Sequence, residues 1–317
     1  TLPLSPTAGD IVGIADYAGT AALENITVGR NGSPIEGLTA DAVMNINREA
    51  KTLIYVDGTK GWQDIHDSTA NITGASFVTA TGGTILTSGD FKTHVFAADG
   101  CFQVTSAGNP AGSTTIDYVV VAGGGSSNGD NGGGGGAGGF RMSNGYSVPA
   151  PTTSPLAVPT ALTAAVQTYP VTVGGGGAGA GPNTGASGAA GANSVFSTIT
   201  SAGGGAAAPA PTTSGGSGGG GKYNSQTAGA GNTPPVSPPQ GNPGGDSAPG
   251  GGSTGGGGGG GAGAAGANVS PGDPGSAGGI GSFVGDTVFG PTAPSYGEAG
   301  PVSNTRYFAG GGGGGHQ

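Results

Sequence analysis

The chain is short of most things that globular cores are built from. Its 317 residues include one Cys, one Trp and 25 charged side chains, 8 basic and 17 acidic. Each shortage excludes something. A single cysteine cannot form an intrachain disulfide framework, so cysteine usage says little about redox compartment. With a formal charge of −9 and no Lys/Arg cluster, the sequence lacks the electrostatic footprint of a nucleic-acid binder. No apolar run approaches the roughly 20 residues of a membrane span. Leu, Ile, Val and Phe total 50, about 16% of the chain, below the roughly 20% expected of an ordinary core. Thr1 is not followed by a basic-then-apolar leader, which reads as a processed chain or a fragment.

Glycine is what the sequence has instead: 77 residues, accompanied by 23 Pro. It comes in blocks and not at every third position, which rules out collagen. The composition breaks sharply near Ala122. Residues 1–122 hold 15 Gly, 17 charges and 30 of the 50 Leu/Ile/Val/Phe. Residues 123–317 hold the other 62 Gly, 19 of the 23 Pro and 8 charges. The first part can bury a modest core; the second cannot hold itself together by apolar burial.

The N-terminal part reads as short strands and turns. Asp10–Asp16 alternates weakly, and Asn25–Gly29 runs into Asn31-Gly32, a hairpin signal. Lys51–Asp57 is a strand closed by Asp57-Gly58, and Phe91–Phe96 with Cys101–Thr105 around Asp99-Gly100 predicts another hairpin. Ile116–Val121 closes the region, and 40–51 is the one weak helix candidate. The expected organisation is all-β: a module over 1–70, a second over 71–122, then a glycine-rich domain over 123–317. Modules this short favour self-association to complete their cores.

In the second part, short β-prone runs repeatedly enter glycine blocks. Tyr118-Val-Val-Val-Ala-Gly-Gly-Gly125, Tyr169-Pro-Val-Thr-Val-Gly174 and Tyr307-Phe-Ala-Gly310 are examples. A polyproline-II-like glycine helix has three residues per turn, about 3.1 Å rise and no internal hydrogen bonds. Lacking Cβ atoms, such helices can approach closely and exchange N–H···O bonds, each contributing about 0.5–1.5 kcal/mol net. Packed helices of this kind are the expected fold, with Gly134, Gly176, Gly204, Gly219, Gly258 and Gly312 as representative block positions. Flexible linker is the competing expectation.

At these residues the sequence resembles the glycine-rich tail-fibre and tip-adhesin proteins of tailed bacteriophages. The resemblance is carried by Phe91–Phe96, Asn109–Ser113, Asp117–Gly125, Gly132–Arg141, Tyr169–Gly174 and Asn193–Phe196. Leu2–Asp10, Asn25–Gly32, Leu53–Asp57 and Gly61-Trp62 resemble a small β module of phage fibres. It implies a layered sandwich of polyglycine-II helices whose joining loops bind a host receptor, a surface glycan or an outer-membrane protein. It further implies a virion tail-fibre location outside the cell, a homotrimer, and other fibre or baseplate proteins as partners. Relatives of this kind often add a closing strand after the last block, whereas this sequence ends at His316-Gln317.

Candidate receptor-binding residues lie in the joining segments: Tyr146, Tyr223 and Tyr296 to stack on sugar rings, with Asn224, Gln226, Asn232 and Asp246 as hydrogen-bonding partners. Phe140, Phe196, Phe289 and Phe308 adjoin glycine blocks and read as packing anchors. His66, His94 and His316 show no metal-ligand spacing, and Cys101 reads as a buried small hydrophobe. Gly221-Lys222-Tyr223 lacks the Ser/Thr of a phosphate-binding loop, and no catalytic carboxylate pair or Ser/His/Asp order stands out. The expectation is a non-enzymatic binding protein without cofactor, nucleic-acid partner or membrane insertion; the alternatives are a secreted or cell-surface glycine-rich matrix protein and a disordered spacer.

Overall fold

The computed structural model describes residues 1–67, 75–110, 112–129, 131–145, 150–181, 186–207, 212–249, 254–286 and 296–315. Among them there is no α-helix; the chain is all-β, with small sheets and long extended runs between them. It forms two compact units, residues 1–76 with 110–112, and residues 77–109 with 113–317.

The first unit is built on a three-stranded antiparallel sheet, Ile11–Ala15, Ala50–Asp57 and Gly61–Asp67, with the middle segment at its centre. Asp57-Gly58 turns the chain between the last two, as the sequence indicates. Leu2, Val28, Ile35, Met44, Leu53 and Trp62 make its core. Two expectations fail. Ile26–Val28 pairs with Ala42–Met44 and not with a strand just past Asn31-Gly32. The turn residues do adopt left-handed conformations (φ 49° and 95°), but Pro34 lacks an N–H for a ladder and the chain detours so that Ile35 bridges Trp62. The helix candidate at 40–51 is strand and turn instead, because Val43 and Met44 lie on opposite faces of a pleat.

In the second unit, a five-stranded sheet runs Ile199–Ser201, Ser194–Phe196, Thr168–Thr172, Gly100–Ala107 and Val78–Thr81. Phe102, Val104 and Tyr169 fill one face, with Phe196 edge-on to Phe102 at 5.8 Å. The hairpin predicted around Asp99-Gly100 is not formed. Phe91–Val95 pairs backwards with Thr84–Ser88 across Gly89-Asp90, which frees Gly100–Ala107 for longer partners. Cys101 is exposed and not buried, since Phe102 and Val104 take the inward face of the same strand.

The rest of this unit is a lattice of extended glycine runs. The run 132–139 shows the rule. The N–H groups of Gly134 and Ala137 donate to the carbonyls of Gly257 and Gly260 (2.9 Å each). Those of Gly136 and Gly139 donate to Gly205 and Ala202 (2.8 and 2.7 Å). Its carbonyls accept from Gly220 and Ser217, from Gly125 and Ala122, and from Gly315 and Gly312. Partners recur every three residues, the period of a polyglycine-II helix. Each run is therefore bonded to several others and to none of its own residues. The run 254–261 likewise meets 132–139, 215–221, 241–248, 264–269, 276–281 and 310–315. A Cβ on Gly134, Gly204, Gly219 or Gly258 would fall on a neighbouring run's carbonyl oxygen, that of Gly312, Gly136, Ala206 or Ala277. Gly176 and Gly312 have more room, with nearest atoms at 3.6 and 3.3 Å. Glycine is the packing element, and backbone hydrogen bonds take the place of an apolar core.

Candidate functional site

Chain direction decides which joining segments share an end of the lattice. Runs 122–127, 174–181, 202–207 and 310–315 each leave a strand, and 132–139, 186–193 and 276–281 each enter one. All strands of this lattice therefore gather at one end, the sheet end. Segments 127–131, 222–226 and 270–273 join runs at the other, far end. Segments 232–240 and 262–264 turn at the sheet end.

At the far end the chain 222–226 is tied down on both sides. The Tyr223 N–H donates to Asn131 O (3.4 Å), the Ser225 N–H to Ala248 O (3.1 Å), and the Gln226 N–H to Ser247 Oγ (2.6 Å). Asn224 and Ser225 sit consecutively at positive φ, 73° and 59°, which turns both exposed side chains outward. Asp246 Oδ1 accepts from the Ala228 N–H (2.7 Å), and Asn268 Oδ1 accepts from the Asp246 N–H (2.8 Å). Lys222 is 7% exposed, its ammonium 5.1 Å from the centroid of the Tyr223 ring. Asn128 and Asn131 are buried beside this segment, and neither amide atom of Asn128 has a hydrogen-bond partner among the described residues. An open depression of about 390 Å³ lies alongside, lined by Thr212, Ser214, Ser225, Gln226, Thr227, Ala228 and Gly229. Hydroxyl and amide groups share its lining with apolar atoms, and none of these side chains is charged.

Of the sequence-derived candidates, Tyr223, Asn224, Gln226 and Asp246 come together here. Asn232 does not: it turns at the sheet end, where its Oδ1 accepts from Val236 and Gln240 N–H groups (3.1 and 3.2 Å). Tyr296 is half-buried in the connection that precedes the edge strand Glu298–Ala299, also at the sheet end. Tyr146, Phe289 and His316 lie outside the described residues, as does the His66 side chain. Phe140 is 1% exposed and packs with Met142, Ala262 and Val284, with Phe308 against them. His94 Nδ1 is 2.7 Å from Gly82 O and its ring is edge-on to Phe102. No group of three His, Cys, Asp or Glu that could hold a metal ion occurs among the described residues. Sequence reasoning missed Lys222, Asn128 and Asn131; the available signal was a lone lysine ending a glycine block beside a tyrosine.

Charge perturbation lies elsewhere. Backbone N–H groups of Ala21 and Arg48 hold the Asp16 carboxyl below its ordinary range, and those of Lys60 and Thr59 do the same for Asp57. Burial pushes the Tyr118 phenol up.

A family model described as a glycine-rich domain matches residues 97–317. The chain belongs to that family. The glycine-rich domain thus takes in the sheet strand Gly100–Ala107 together with the lattice. No curated protein and no solved structure matches the chain. No helix among the described residues is long and apolar enough to cross a membrane.

Proposed function

We propose that this chain is a bacteriophage tail-fibre adhesin that recognises a host cell surface through the far end of its glycine lattice. One observation carries the proposal: 222–226 is presented at one end of a stiff hydrogen-bonded support, with Tyr223, Asn224 and Gln226 grouped there. A binding loop on a rigid scaffold keeps its geometry while its sequence varies. A tyrosine ring beside amide and hydroxyl groups suits a neutral, hydroxyl-rich ligand such as a surface glycan. The packed lattice speaks against a disordered spacer. The phage origin, the virion location, the homotrimer and the non-enzymatic character belong to the proposal and rest on the sequence resemblance.

The test is adsorption. Full-length chain, labelled and added to a panel of bacterial cells, should bind a subset of them and reduce phage adsorption to those cells. The triple change Tyr223→Ala, Asn224→Gly, Gln226→Ala should abolish binding while unfolding remains unchanged. Binding to no cell of the panel, or full binding by the triple variant, defeats the assignment.

A further inference from the structure

Among the described residues, one lattice position beside run 132–139 holds no run. Three residues per turn give each run three directions of N–H and three of C=O. In 132–139 all three carbonyl directions are used, and two N–H directions are used, towards 254–261 and 202–207. The third direction belongs to Gly135 and Gly138, whose N–H groups meet no acceptor among the described residues, although the whole run is buried. Buried backbone donors without partners are rare.

The space those donors face is bordered by two glycine runs. A Cβ on Gly312 would point there, 3.3 Å from Gly135 N, and one on Gly124 would lie 4.0 Å from Gly138 N. The carbonyl of Gly125 and the N–H groups of Gly310 and Gly313 are likewise unbonded among the described residues. A second, independent observation concerns the outward positions. Where other runs face solvent they carry side chains: Ala189 and Ala190, Ala265 and Asn268, Ala277 and Ile280. Run 310–315, which borders the face, keeps glycine at Gly310 and Gly313, where a Cβ would meet only ordinary contacts at 3.7–3.8 Å. Glycine there costs backbone entropy and answers no need within the chain.

We propose that the face between runs 122–127 and 310–315 takes up one further extended glycine strand from another polypeptide, whose carbonyls accept from Gly135 and Gly138. The donor spacing selects this occupant. Three residues of polyglycine-II span about 9.3 Å, whereas a β-strand repeats its outward carbonyls every ~6.6–6.8 Å and falls out of step. Side chains are excluded where the incoming strand meets the two walls, as they are between the other packed runs, while its solvent face is unrestricted. The inference concerns the flank of the lattice and is independent of host binding at the far end.

The test uses the full chain and a synthetic peptide of nine glycines flanked by lysine pairs, read by residue-resolved amide hydrogen exchange. The peptide should slow exchange at Gly135 and Gly138 by about tenfold or more. The same peptide with alanine in place of all nine glycines should not. Gly124→Val, whose nearest contact would be an ordinary 3.7 Å, should abolish the protection while Gly134 and Ala137 exchange as before. If it disturbs those two, Gly124→Ala serves in its place. No slowing with the glycine peptide, equal slowing by the alanine peptide, or full protection of Gly135 and Gly138 in the free chain would each overturn the proposal.

Discussion

Replacing Gly258 by valine puts the packing argument to its sharpest test. The Gly258 N–H donates to Ala267 O (3.0 Å) and Ser276 Oγ (2.8 Å), and its carbonyl accepts from Gly245 N–H (2.7 Å). A Cβ there would occupy the place of the Ala277 carbonyl oxygen, so run 276–281 must move away. That run is tied to 254–261 by Gly258 N–H to Ser276 Oγ, Gly279 N–H to Gly259 O (2.9 Å) and Ser276 N–H to Gly256 O (3.2 Å); losing these three bonds, worth about 0.5–1.5 kcal/mol each, costs roughly 1.5–4.5 kcal/mol. Removing a glycine from the unfolded chain returns about 0.4–1 kcal/mol. The expected net destabilisation is about 1–4 kcal/mol. Gly179→Val is the matched control, since nothing lies within 4 Å of its Cβ; it should be neutral or stabilising by under ~1 kcal/mol. Tyr223→Ala, half-exposed in a joining segment, should also cost little. Urea unfolding followed by exchange protection of run 254–261 separates the three variants. Equal loss of protection at Gly258 and Gly179 would refute close packing of the runs.

Three further outcomes follow from the same structure. Asp16 accepts from the N–H groups of Gly19, Ala21 and Arg48 (2.9, 3.0 and 2.9 Å), and its folded pKa lies below the unfolded value. Its contribution is present above about pH 3.9 and is lost as pH falls through the folded pKa; unfolding of the first unit should show this acid dependence, and Asp16→Asn should remove it. Gln240, 1% exposed, accepts from the Ala202 N–H and donates to Pro234 O (2.8 Å each); Gln240→Leu strands both groups and should cost about 1–3 kcal/mol for each in thermal unfolding. Cys101 should react with a thiol reagent in the native chain as fast as in urea, and labelling only after unfolding would contradict its exposure.

That the glycine blocks can pack was legible from composition, because chains without Cβ can approach closely enough to exchange backbone hydrogen bonds. Of the six block positions named from the sequence, Gly134, Gly204, Gly219 and Gly258 abut a neighbouring run, whereas Gly176 and Gly312 have more room for a Cβ. The neighbours themselves were not legible. That run 132–139 meets 254–261 depends on where reversals fall, and glycine blocks carry no side-chain code for partner choice. The failures in the strand-rich part have a related cause. Turn chemistry located the bends at Asn31-Gly32 and Asp57-Gly58 but not the one at Gly89-Asp90, and strand partners were set by distant contacts such as Ile35 with Trp62 and Gly100–Ala107 with Thr168–Thr172. For the candidate site, adjacency in sequence found Tyr223, Asn224 and Gln226. It could not tell that Asn232, six residues later, turns at the opposite end.

That last contrast bears on how the molecule divides its work. Segments at the sheet end are bound inward: Asn242 Nδ2 donates to the carbonyls of Gly261 and Ala262, Ser154 bonds Ser282 at 2.6 Å, and Asn232 and Gln240 brace each other. Changing them strands buried groups. At the far end, Asn224, Ser225 and Thr227 are exposed, and the side chains that tie the loop down are Ser247, Asp246 and Asn268 on the runs beneath it. Substitution at Asn224 therefore removes no lattice hydrogen bond, whereas substitution at Gln240 removes two. Side chains at the far end that make no lattice bond are free to change, the freedom that the proposed recognition of a varying surface requires.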